Sequence, residues 1–106
     1  MAAPKAAFEP KKVTIRPVPG GKPMVKPVRV KLSLAKHDTV EWHCTDPGAK
    51  WRVEFDPQKT PFEGHVFHPE KLKSGAIRVR PRKPAYYKYD VVVNGERLDP
   101  GVVVNP

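Results

Sequence analysis

Val28-Arg29-Val30-Lys31-Leu32-Ser33-Leu34 alternates apolar and polar side chains without a break. Successive side chains of an extended strand point to opposite faces, so this segment buries one face and leaves the other wet and positive. The same period recurs on both sides of it. Val13 and Ile15 alternate with Thr14 and Arg16 before Pro17, Pro19, Gly20 and Gly21 end the run. Val40, Trp42 and Cys44 share a face opposite Glu41 and His43, and Asp46-Pro47-Gly48 turns the chain into Trp51, Val53 and Phe55. Further on, Ile77 and Val79 oppose Arg78, Arg80 and Arg82, which predicts another strand closed by Pro81 and Pro84. Tyr87, Tyr89, Val91 and Val93 form a last long face, Asn94-Gly95 is a turn dipeptide, and Gly101 precedes Val102 to Val104.

Fourteen prolines and seven glycines in 106 residues argue against long helices, because an internal proline removes a backbone donor and clashes with the preceding turn. About seven short strands separated by turn signals predict an all-β chain, an antiparallel β-sandwich. Residues 56–75 read as a long connection with one short strand or helical turn, anchored by Phe62, Val66, Phe67 and Leu72. Residues 1–12 are small, proline-containing and basic and are expected to form a loosely attached or disordered arm, leaving residues 13–106 as a single domain.

No stretch approaches the roughly 20 consecutive apolar residues of a membrane span, and MAAPKAAFEPKK has no apolar region behind its charges. A soluble chain without a membrane span is therefore expected. The single cysteine, Cys44, excludes an internal disulfide framework and fits a reducing compartment. The expected location is cytoplasmic, although one cysteine is also compatible with export after removal of a leader.

Twenty Lys and Arg against eleven acids give a net charge of +9, unevenly placed. Residues 1–36 carry nine basic groups against Glu9, residues 37–70 three against seven acids, and residues 71–90 seven against Asp90. Such segregation concerns surface potential and partners.

The order of the strands resembles a known family. Asp38-Thr-Val40-Glu-Trp42, a turn and Trp51-Arg-Val53-Glu-Phe55-Asp56 are similar to the central strand pair of cupredoxins, small Greek-key β-sandwiches that usually hold blue copper. Tyr87-Lys-Tyr89-Asp-Val91 followed by a loop and Gly101-Val-Val-Val104 resembles the family's Tyr-x-Tyr-x-Cys, ligand loop and closing strand. Together these cover roughly residues 28–56 and 76–105. The resemblance implies a cupredoxin-like Greek-key sandwich, but the ligand positions carry other residues. Trp51 stands at the first histidine, Val91 at the thiolate, and Asn94 and Asp99 at the second histidine and the methionine. A blue-copper centre needs two imidazoles and a thiolate with a weak axial donor. No copper, no other cofactor and no electron transfer are therefore expected.

The metal-binding alternative uses His65 and His68 with His43, because one helical turn or a sharp loop would bring His65 and His68 to one ion while an extended strand would separate them. The plainer reading leaves these histidines in loops and Cys44 as a small buried residue. Ser33 and Ser74 lack a nucleophile-elbow context and no glycine-rich phosphate loop is present, so a non-enzymatic protein is expected. The basic strand faces carry the functional expectation. Arg78, Arg80 and Arg82 at alternate positions, with Lys83, and Arg29 with Lys31 on another strand would meet an anionic partner: an acidic protein, a nucleic-acid backbone or an anionic surface. Arginines on a wet strand face also serve solubility and protect sheet edges, and no exposed aromatic platform for bases accompanies them beyond a candidate at Tyr86. An exposed edge strand is further expected to offer a site for a second copy of the chain, as a homodimer, or for a peptide.

Overall fold

A computed structural model describes residues 10–106, so most of the proposed N-terminal arm, residues 1–9, lies outside the described residues. Among the described residues nine strands follow one another: β1 (Lys11–Arg16), β2 (Met24–Lys26), β3 (Arg29–Ser33), β4 (Val40–Cys44), β5 (Trp51–Phe55), β6 (Val66–Phe67), β7 (Ala85–Val93), β8 (Glu96–Leu98) and β9 (Gly101–Asn105). They form two sheets, one in the order β2-β1-β4 and one in the order β3-β9-β7-β5-β6, with β8 paired to β7. The expected all-β class holds.

The antiparallel expectation needs correction, because both sheets are mixed. β1 runs parallel to β4, with Val13 opposite Trp42, and β3 runs parallel to β9, with Val30 opposite Val102. Alternation along a segment determines which face is buried; it carries no information on which strand lies alongside or in which direction. The chain from β2 to β3 accounts for the arrangement. Met24–Lys26 pairs antiparallel with β1 in the smaller sheet, the chain bends at Pro27 and Val28, and Arg29–Ser33 joins the larger sheet beside β9. Val28, read as part of the apolar face, sits at that bend and is 59% exposed.

A second correction concerns Ile77 to Arg82, which is not a ladder strand. Ile77 makes an isolated bridge with Phe62, and Arg78 N–H donates to Pro61 C=O at 2.8 Å. Pro81 and Pro84 supply no donors for a longer ladder. The alternation survives without the ladder: Ile77 is buried and Val79 half-buried, while Arg78, Arg80 and Arg82 are exposed. The strands β2 and β8 lie in segments read as turn and loop; with β6 added and Ile77 to Arg82 removed, the seven expected strands become nine among the described residues.

The two sheets share one core. Val13, Ile15, Val25, Val40 and Trp42 come from the smaller sheet, and Val30, Leu32, Val53, Phe55, Tyr89, Val91, Val102 and Val104 from the larger. Trp42 is fully buried at its centre, stacked on Phe67 with 4.8 Å between ring centroids and edge-on to Phe55, Phe62 and Tyr89. The connection from residue 56 to 75 is thus held by its anchors, as expected, with β6 as its one short strand. It also closes an edge: Trp42 N–H donates to Leu72 C=O, Ser74 N–H donates to Val40 C=O, and Val40 N–H donates to Ser74 Oγ.

β7 is the longest strand and organises the larger sheet. Aromatic and β-branched residues favour it, and Asn94 and Gly95, with φ of 49° and 87°, form the tight hairpin that the dipeptide predicts, pairing Val93 with Glu96. The chain then returns along β7, first as β8 and then, past Asp99-Pro100, as β9.

Candidate functional site

On the outer face of the larger sheet, β3, β9 and β7 lie side by side. Their register sets Arg29, Gly101 and Lys88 in one row and Lys31, Val103 and Tyr86 in the next. With strands about 4.8 Å apart, the backbones of Arg29 and Lys88 stand roughly 10 Å from each other across Gly101. Gly101 has no side chain to fill the gap, and the ring of Tyr86 leans into it. The Arg29 guanidinium lies over that ring, 4.9 Å from its centroid. A cation held on an aromatic face keeps its N–H donors available, and guanidinium donors match carboxylate or phosphate oxygens. Among the described residues neither Arg29 nor Lys31 has a salt-bridge partner; Lys88 has an exposed one, Asp99, at 3.4 Å. Such exposed pairs are weak and yield readily to a stronger anion.

The other basic residues named from the sequence are not on this sheet face. Arg78 pairs with Glu63 at 3.0 Å. Arg78 and Arg80 border a shallow cavity of about 330 Å³ with Leu34, His37 and Ile77. Arg82 and Lys83 precede Ala85, which pairs with Val104, so they lie toward the end of the sheet where β3 leaves it. The structure thus joins Arg29 and Lys31 in one patch and puts Arg78, Arg80, Arg82 and Lys83 on a separate irregular segment. Tyr86 and Lys88 complete the patch. The parity of β7 is the signal for them, since they alternate with the inward Tyr87 and Tyr89; that Gly101 lies beside them is a matter of register.

The four positions matched to copper ligands do not converge. Trp51 is buried opposite Val93, and Val91 is buried between Val53 and Leu98. Asn94 exchanges hydrogen bonds with Lys50, its N–H donating to the Lys50 carbonyl and its Oδ1 accepting from the Lys50 amide. Asp99 reaches Lys88, six residues down β7 from Asn94 and roughly 20 Å away along the strand. Trp51 and Asn94 alone share an end. That end carries a cavity of about 580 Å³, lined by the loop from Pro17 to Gly21 with Thr45, Asp46, Asn94 and Glu96.

His65 and His68 flank the two-residue β6, whose extended backbone sends them to opposite faces, and His68 Nδ1 accepts the Glu70 N–H at 3.3 Å. His43 is on β4, with its Nε2 3.2 Å from Glu41 Oε2. No group of three His, Cys, Asp or Glu side chains suited to a metal ion occurs among the described residues. The serines have structural partners: Ser33 Oγ accepts the Lys36 N–H, and the buried Ser74 Oγ accepts the Val40 N–H and donates to Gly75 C=O.

Elsewhere on the outer face charges compensate each other. Glu54 lies between Arg52 and Arg97, and the hydrogen bond from Arg52 holds its carboxyl below the usual range. Arg97 also reaches Asp90 at 3.0 Å. The stems of Arg52 and Arg97 flank Val92, their register partner, which is buried although it points outward. Among the described residues, the uncompensated charge of this face therefore concentrates at the Arg29 end of the sheet. No helix of the described residues is long and apolar enough to cross a membrane. No family model matches the chain, and no curated protein matches it.

Proposed function

We propose that this chain is a non-enzymatic, copper-free binding module of cupredoxin-like build, which docks an anionic partner through the face made by Arg29, Lys31, Tyr86 and Lys88. The strand orders support the Greek-key reading, with one run of chain, β2 to β3, edging both sheets and β7 to β9 forming the returning pair. The segment matched to the copper-ligand loop is taken up by β8 and its hairpin, which leaves valine, tryptophan and a turn asparagine with no chemistry for copper.

The observation that carries the proposal is Arg29 resting on Tyr86 with no carboxylate partner among the described residues, next to the equally unpaired Lys31. An acidic protein, a nucleic-acid backbone and an anionic surface share the chemistry this face recognises. Retention on immobilised heparin tests it. The Arg29→Ala/Lys31→Ala double variant should elute at clearly lower salt than a Lys50→Ala/Lys59→Ala variant of equal net charge, since local contacts release bound counterions. Equal elution of the two variants would refute the assignment of this face.

A further inference from the structure

Among the described residues, no strand covers the edge of β3 beside this face. Parallel strands bond through alternate residues of each partner. On β3 these are the even positions: Gly101 N–H donates to Val28 C=O at 2.9 Å, and Leu34 N–H donates to Asn105 C=O at 2.8 Å. The N–H and C=O groups of Arg29, Lys31 and Ser33 therefore face away from β9. Ser33 is already satisfied on that side, because its N–H donates to Asp38 Oδ2 at 2.8 Å and its C=O accepts the Asp38 N–H at 3.1 Å. An acidic residue of this chain thus occupies the last slot of the edge. Arg29 and Lys31 have no such partner among the described residues. The border of the smaller sheet at β4 is covered, by Leu72 to Ser74.

We infer that the β3 edge accepts an extended acidic peptide segment as an added strand, its backbone bonding Arg29 and Lys31 while its alternate carboxylates meet their side chains. This rests on the anionic-partner reading and narrows it to a peptide. Strand addition takes affinity from main-chain hydrogen bonds and specificity from alternate side chains. Opposite charges directly across a pair of strands attract, and like charges repel. The same rule disfavours the expected homodimer at this edge, where a second copy would bring Arg29 and Lys31 against their own counterparts. The exposed Val28 at the start of the edge offers an apolar contact for the segment's end.

Two capped peptides of equal charge decide the matter, Glu-Val-Glu-Thr-Glu and the same sequence with every backbone amide of its five residues N-methylated, titrated against the full chain while amide exchange is followed. The first should bind at least about tenfold more tightly, since N-methylated amides cannot donate to a ladder in either strand direction, and should slow exchange at the Arg29 and Lys31 amides. Equal binding of both peptides, or binding without protection of those two amides, overturns strand addition while leaving the basic face standing. Failure of both peptides alongside salt-sensitive heparin binding through Arg29 and Lys31 overturns the peptide in favour of another polyanion. Loss of the heparin response as well removes the anionic-partner reading itself.

Discussion

The ring of Tyr86 occupies the space that a side chain at Gly101 would need. Aromatic cover of a glycine in a sheet restores the packing that the missing side chain forgoes. Here it also supplies the platform for Arg29, so a backbone feature of β9 positions a charge on β3.

Gly101→Ala should therefore weaken anion binding without touching a charge. The added methyl displaces Tyr86, a half-exposed ring that is free to swing outward, so the stability loss should stay near the lower end of the ~1–3 kcal/mol cost of overpacking. Heparin elution at reduced salt with a native-like NMR spectrum is the expected result; unchanged elution would show that the stacked pair is dispensable.

Arg29→Lys keeps the charge and removes the flat guanidinium. Lysine is a compact, strongly hydrated cation that stacks less well and cannot clasp a carboxylate with two parallel bonds. Elution should fall between that of the wild type and Arg29→Ala. A lysine variant indistinguishable from wild type would reduce the site to net charge alone.

Ser74→Ala removes the acceptor for the buried Val40 N–H. A buried donor left without a partner costs about 1–3 kcal/mol, so the urea midpoint should fall correspondingly with the denaturant slope unchanged. A shift smaller than about 0.5 kcal/mol would mean that water replaces the hydroxyl.

Tyr89 predicts an alkaline limit to stability. Its hydroxyl is buried against the core, beside Trp42 Nε1–H at 3.4 Å, and burial pushes its pKa up to about 12 from 10.0. The unfolded chain loses this proton first, so the contribution is fully present below pH 10 and is lost as pH rises from 10 towards 12. The linked change amounts to roughly 2–3 kcal/mol at the upper end. Denaturant midpoints between pH 9 and 12 should fall more steeply for wild type than for Tyr89→Phe. Parallel slopes would mean that the phenol ionises equally in both states.

Much of the molecule is legible one segment at a time. The alternation in 29–33, 40–44, 51–55 and 85–93 gives strands whose buried faces match the pattern, and Asn94-Gly95 gives its hairpin. Arg29 and Lys31 as outward cations follow from the same period. Arg78, Arg80 and Arg82 have that period too, yet form no ladder, because extended conformation is local while a strand needs a neighbour with free donors and acceptors.

The sequence by itself determined which face each alternating strand buries and that long helices are excluded here, since these depend on local sterics and hydrophobic period. The tertiary structure decided the parallel pairings, the separation of the four ligand-matched positions over β5, β7 and the turns that flank β8, and the meeting of Arg29, Tyr86 and Gly101 from three strands. Register arises from contacts between segments distant in sequence, and no single segment encodes its partner.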